Sequence, residues 1–130
     1  MKQIKVLVVD DEVTICQTMK LYIERATKFA VITATSGKEA LRLARSQKPD
    51  IILLDIMMPG MSGSEVAEEL RENPLTSNIP IIFITAAISK DEEVRKGGYI
   101  QEVPIIAKPV KAEEVVRRIE EILRQRGLIV

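Results

Sequence analysis

Asp55 closes the apolar run Ile51-Ile52-Leu53-Leu54 and stands just ahead of Met57-Met58-Pro59-Gly60-Met61-Ser62-Gly63. A carboxylate placed where a buried strand gives way to a turn is held rigidly and still reaches solvent. Asp10 and Asp11 end a second apolar run, Ile4 to Val9, while Ile79 to Ile84 ends in Thr85 and Val103 to Ala107 ends in Lys108-Pro109. Three carboxylates, a hydroxyl and an amine thus terminate four strand-like segments. If those strands are parallel, all of these groups emerge on one edge of the sheet, where open α/β sheets place their ligands.

The chemistry that suits such a set is phosphoryl transfer to a carboxylate. The attacking oxygen and the equatorial phosphoryl oxygens all carry negative charge, so acids alone would repel the substrate and a cation is required. Magnesium takes octahedral oxygen ligands, retains waters, and commonly uses one or two carboxylates together with phosphate oxygens. Asp11 and Asp55 are candidate direct ligands, Asp10 a ligand through water, and the backbone carbonyl of Met57 a further protein ligand. Lys108 would place positive charge on the phosphoryl oxygens and Thr85 would donate a hydrogen bond, both stabilising charge in a loose transition state. Asp55 would be the nucleophile and become an acyl phosphate.

Each residue alone also has a plain structural explanation. An Asp after a strand commonly caps a helix or shapes a turn, and Asp10-Asp11 could do the same for the first helix. Thr85 could close a β-edge hydrogen bond, Lys108 could be an ordinary surface lysine, Pro109 could fix a turn, and Gly63 could permit a tight loop. Five reactive groups at four successive apolar strand ends are harder to obtain by accident.

The elements that must position them alternate along the chain. Ile15, Met19, Tyr22, Ile23 and Ala26 recur at helical spacing and mark the inner face of a first helix. A short strand over Phe29 to Ala34 follows. Ser36 with Glu39 in capping-box spacing then opens a second helix that turns Ala40, Leu41, Leu43 and Ala44 inward. Ser64 to Arg71 predicts a third helix with Val66, Ala67 and Leu70 inward, stopped by Asn73-Pro74. The last helix, Ala112 to Arg126, should bury Val115, Val116, Ile119, Ile122 and Leu123 and leave its charges on a solvated face, with Gly127 as its stop. Ser89 to Glu102 fits least well: its charged run holds only Val94 as an apolar residue and ends in Gly97-Gly98, which predicts a short, weakly anchored fourth helix and an irregular connection. Five βα repeats favour a parallel sheet with right-handed crossovers.

Composition narrows the function. At 130 residues and 46% hydrophobic content, the chain has room for one domain with a sizeable core. That core must be aliphatic, with two Phe, two Tyr and no Trp, which suits strands covered by helices on both faces. Formal net charge is zero, so nothing in the balance points to nucleic acid or a membrane surface. The single cysteine, Cys16, rules out an internal disulfide framework, and the lack of a signal segment or spanning stretch leads us to expect a cytoplasmic protein. The absence of histidine excludes a histidine general base, imidazole-ligated zinc and phosphohistidine chemistry within these residues.

Over essentially its whole length the chain resembles the receiver domain of two-component response regulators. Val8-Val9-Asp10-Asp11-Glu12 is similar to that family's acidic pair, Asp55 with Pro59 and Gly63 to its phosphoacceptor loop, Thr85-Ala86 to its switch hydroxyl and small neighbour, and Lys108-Pro109 to its lysine and following, commonly cis, proline. The resemblance implies a flavodoxin-like sheet of five strands in the order 2-1-3-4-5. It also implies magnesium-dependent phosphorylation of Asp55 by a histidine kinase or phosphotransfer protein. The conformational change would pass to the face of the fourth helix, fifth strand and fifth helix, and so to a downstream effector or covalently linked output domain. A phosphorylation-dependent homodimer stays open. The chain departs from the pattern at Ile105, where the family carries a mobile aromatic, and at Gly97-Gly98, where a single Gly-Ala turn would lie nearer the lysine. Tyr99 would then be either a substitute aromatic or a packed loop residue.

Met57 and Ala87, apolar at positions that would otherwise hold an attacking water, predict slow dephosphorylation. The receiver pattern takes up residues 1–126 and leaves 127–130 as a tail or the start of a linker. Two rivals remain at this point: a receiver-like scaffold that binds partners without phosphorylation, and a phosphatase similar to haloacid dehalogenases with Asp10-x-Glu12-x-Thr14 as its nucleophile motif.

Overall fold

The computed structural model describes residues 2–100 and 102–130. Its elements follow in the order β1 (Lys5–Val9), α1 (Val13–Ala26), β2 (Ala30–Ala34), α2 (Gly37–Gln47), β3 (Ile51–Asp55), α3 (Gly63–Glu72), β4 (Ile81–Thr85), α4 (Lys90–Arg95), β5 (Tyr99–Ile100), β6 (Val103–Ala107) and α5 (Ala112–Gln125). Hydrogen bonding orders the strands β2-β1-β3-β4-β6-β5. All pairs are parallel except β5 with β6.

Successive strand residues point to opposite faces, and each face fills its own core. Val6, Val8, Leu53, Ile82, Ile84 and Ile106 pack with Met19 and Ile23 of α1 and Ile119 and Leu123 of α5. Leu7, Val9, Ile52 and Leu54 pack instead with Ala40 and Ala44 of α2 and Val66 and Leu70 of α3. Such doubly covered strands need no polar face, which is why their sequences run continuously apolar.

The doubly wound architecture is as expected, with one addition and several local differences. The segment predicted to be irregular forms β5, which pairs antiparallel with β6 through Tyr99↔Pro104 and Ile100↔Val103 and makes a sixth strand at the edge. Gly97 and Gly98, at φ 66° and 79°, turn the chain back after α4, and Glu102 also takes a positive φ of 68°. Pro104 lies just ahead of the parallel ladder, which starts at Phe83↔Ile105, so its missing N–H costs no bond there. Ala26 is exposed rather than inward, because the inner face of α1 runs through Cys16, Met19 and Ile23.

Helix ends follow local chemistry. Ser36 caps α2 by accepting from Glu39 N, but the Glu39 carboxylate reaches Thr35 N rather than closing a box on the cap itself. Complete capping boxes occur at α3 (Ser62, Glu65) and α4 (Ser89, Glu92). Gly127, at φ 73°, ends α5, and Leu128 N donates to Leu123 O beyond it. Helix α4 is short, as its sequence predicts, and Val94 is 75% exposed while Glu93 is only 7% exposed. No α4 residue belongs to either apolar core. What anchors the helix is a buried carboxylate, Glu93, rather than an apolar side chain.

Candidate phosphoryl-transfer site

The parallel ladders bring the strand ends level. Val9 pairs with Ala34 and Leu54, Asp55 with Ile84, and Thr85 with Ala107. Asp10 and Lys108 each follow the last residue of a strand, so Asp10, Asp55, Thr85 and Lys108 gather at one edge. Asp10, Asp55 and Thr85 are 3%, 3% and 1% exposed, while Asp11 is exposed to solvent. Carboxylate oxygens of Asp10, Asp11 and Asp55 lie within 4.8 Å of one another.

Lys108 Nζ bridges two of these acids, at 2.9 Å from Asp10 Oδ2 and 3.3 Å from Asp55 Oδ2. The Asp55 carboxyl is raised above its ordinary range, first by burial and then by the like charge of Asp10, with Lys108 and the Met57 N–H pulling the other way. Burial alone would lower the Lys108 amine, but Asp10 and Asp55 outweigh it and raise the amine. One lysine thus leaves three convergent acids under-neutralised. That surplus of negative charge, on hard oxygen donors, is what a divalent cation of the magnesium type fits.

The remaining contacts fix orientation. Asp55 Oδ1 accepts from Met57 N at 3.1 Å, an Asx-type turn that leads the chain away from the site. Asp10 Oδ1 accepts from Glu12 N at 2.9 Å, so the predicted local turn role of Asp10 is also present. Glu12, not either aspartate, is the N-cap residue of α1. Thr85 Oγ1 accepts from Ala87 N at 3.0 Å, which uses a lone pair and leaves its hydroxyl hydrogen free to donate. Gly63 is required by close approach: a Cβ there would sit 2.2 Å from Asp55 O and 2.8 Å from Ile56 Cα. Its amide donates to Ile56 O at 2.9 Å, bracing the backbone beneath the acceptor. Pro59 and Gly60 are exposed in the same loop, as is the Met57 side chain.

Residues 6–120 match the family described as the response regulator receiver domain. The chain belongs to that family. Among curated proteins, this receiver domain is 42% identical over 123 residues to the alkaline phosphatase synthesis transcriptional regulatory protein PhoP of Bacillus subtilis, covering 93% of this chain and 49% of that protein. It is 36% identical to the phosphate regulon transcriptional regulatory protein PhoB of Pseudomonas aeruginosa, covering 94% of this chain and 52% of that protein. The chain spans about half the length of these relatives. Its fold matches that of Vibrio cholerae chemotaxis protein CheY4 with a TM-score of 0.79 at 29% identity, covering 94% of this chain and all of that one. A Francisella response regulator receiver domain gives a TM-score of 0.78 at 29% identity, covering 95% and 99%.

Within this receiver domain, the Lys108-Pro109 peptide is cis and Ala86 is exposed beside Thr85. Ile105 is 2% exposed, donates its N–H to Gly98 O at 2.8 Å and pairs with Phe83. Tyr99 is half-buried in β5, with the Arg118 guanidinium 5.4 Å from its ring centroid. Arg118 itself was expected on a solvated face, but it is 6% exposed and donates to Gly98 O and Ile105 O. Two backbone carbonyls, one in the turn after α4 and one in β6, draw this charge inward. Cys16, informative in the sequence only for redox compartment, donates its thiol to Asp10 O at 3.3 Å, and burial pushes that thiol up. Glu93 accepts from Ala107 N at 2.7 Å. Nothing in the helical pattern marks these three, because their partners are backbone groups that only the fold brings near.

Proposed function

We propose that this receiver domain takes a phosphoryl group onto Asp55 from the phosphohistidine of a histidine kinase or phosphotransfer protein. The shift between two arrangements that follows would act on a downstream effector or a linked output domain. The donor histidine lies outside these 130 residues, which contain none. An Asp55 carboxylate oxygen attacks phosphorus, an acyl P–O bond forms, the donor P–N bond breaks, and its electron pair returns to the imidazole. Lys108 neutralises charge on the moving phosphoryl oxygens, and the Thr85 hydroxyl donates to one of them. Asp10, Asp11 and Asp55, with the Met57 carbonyl, are the residues that would hold magnesium, which when bound screens the phosphoryl charge from the carboxylates.

Lys108 bridging Asp10 and Asp55 beside Asp11 is the observation that carries this reading. A lysine that served only solubility would have no reason to turn inward between two buried acids. The receiver-domain match over residues 6–120 does not favour a phosphatase built on Asp10. The receiver unit would span residues 1–126, with 127–130 as a tail or the start of a linker, consistent with α5 ending at Gln125. Among the described residues no helix is long and apolar enough to cross a membrane, in keeping with a cytoplasmic site of action.

The test is intact-protein mass after incubation with acetyl phosphate, with and without magnesium. The expected result is a gain of about 80 Da, one phosphoryl group, that requires magnesium and is absent from Asp55→Asn. No gain with magnesium and donor in excess would favour the scaffold that works without phosphorylation.

A further inference from the structure

Helix α4 carries no side chain into either apolar core, and its one apolar residue in the charged run, Val94, faces solvent. Its inward contact is polar. The N–H of Ala107 points away from β4, at the outer edge of β6 beyond the two residues that β5 covers, and Glu93 Oε1 accepts from it at 2.7 Å. A carboxylate there stands in for a missing neighbouring strand. Burial opposes its charge, yet the Ala107 N–H, Glu114 and Lys90 together hold the Glu93 carboxyl below the ordinary glutamate range. Lys90 Nζ lies 3.3 Å from Glu93 Oε1 and 3.6 Å from Glu114 Oε2, extending the contact to α5.

Ala107 also belongs to the phosphoryl site by its other neighbours. It pairs with Thr85, and the next residue, Lys108, donates its backbone N–H to Thr85 O at 2.7 Å. A single peptide segment therefore bears the site's cation on one end and the tether of α4 on its outer edge. Ile105, two residues back, is a buried aliphatic with no polar handle by which to report a change.

Building on the proposed phosphoacceptor role, we propose that Glu93 is a positioning residue that links α4 to the site: through Ala107 it holds the strand end carrying Lys108, and through the same bond it moves α4 when that strand end shifts. Such coupling is reciprocal. Loss of Glu93 should loosen Lys108 and also disconnect α4.

The experiment compares the parent chain, Glu93→Gln and Glu93→Ala, each incubated with magnesium and acetyl phosphate, reading intact mass over time and backbone amide NMR shifts. In the parent, phosphorylation should shift the Ala107 amide together with those of Glu92 and Arg95. Glu93→Ala should gain the phosphoryl group several-fold more slowly and lose the α4 shifts. Glu93→Gln, whose carboxamide oxygen still accepts from Ala107 N, should restore both. A phosphorylated parent whose Ala107 and α4 amides stay unmoved overturns the linkage, as does Glu93→Ala matching the parent in rate and shifts. If Glu93→Ala does not fold, the parent and Glu93→Gln decide it by the same amides. Failure of the parent to gain mass at all defeats the phosphoacceptor reading itself, and the linkage with it.

Discussion

At the scale of single residues, Asp55 is costly to the fold and useful to the chemistry. Its folded carboxyl holds a proton more tightly than the unfolded chain, whose ordinary value is 3.8. Between those two values the native state binds more protons, so stability falls as pH rises through the folded pKa. In metal-free buffer at neutral pH, Asp55→Asn should therefore melt a few degrees above the parent, with the difference narrowing as pH falls toward about 4. A lower melting temperature for the variant at neutral pH would mean that Lys108 fully compensates the buried charge. Gly63 makes a second residue-scale case. Gly63→Ala should destabilise the chain by about 1–3 kcal/mol in chemical denaturation and slow phosphorylation, since the new methyl would displace the Asp55 backbone.

At the scale of elements, legibility follows the kind of force involved. The strands were readable as continuous apolar runs, and the inner faces of α2, α3 and α5 by the helical period that apolar burial leaves in the sequence. The ends of those strands exposed the site for the same reason: Asp10, Asp55, Thr85 and Lys108 interrupt apolar runs at corresponding places. Glu93, Arg118 and Cys16 were not readable, because each satisfies a backbone group that only the fold brings within reach. Strand β5 was missed because two residues carry no alternation, and only Gly97, Gly98 and Glu102 at positive φ bring them back against β6. Helix α4 gives this difference a measurable form. A helix held by buried polar bonds and outside both cores should open locally more easily than one set in a core. Amide hydrogen exchange in α4 should run well ahead of that in α5; equal protection would show that the Glu93 tether holds as firmly as apolar packing.

At the scale of the whole molecule, the sheet is a rigid frame whose carboxyl edge concentrates negative charge. A cation that binds there only in the folded state stabilises the protein by mass action. Magnesium should raise the melting temperature in a concentration-dependent way, and Asp11→Asn should weaken that rise without disturbing the core, since Asp11 is exposed. An unchanged magnesium response in Asp11→Asn would remove that residue from the ligand set.

The central claim is that Asp55 itself receives the phosphoryl group, and chemical trapping tests it most directly. Borohydride reduces an aspartyl phosphate to homoserine. The chain would be phosphorylated with acetyl phosphate and magnesium, reduced, digested and sequenced by mass spectrometry. Homoserine at position 55, with Asp10, Asp11 and Asp50 intact, is the result this account predicts. Homoserine at position 10 or 11, or an unmodified Asp55 in protein that has gained the phosphoryl mass, would contradict it.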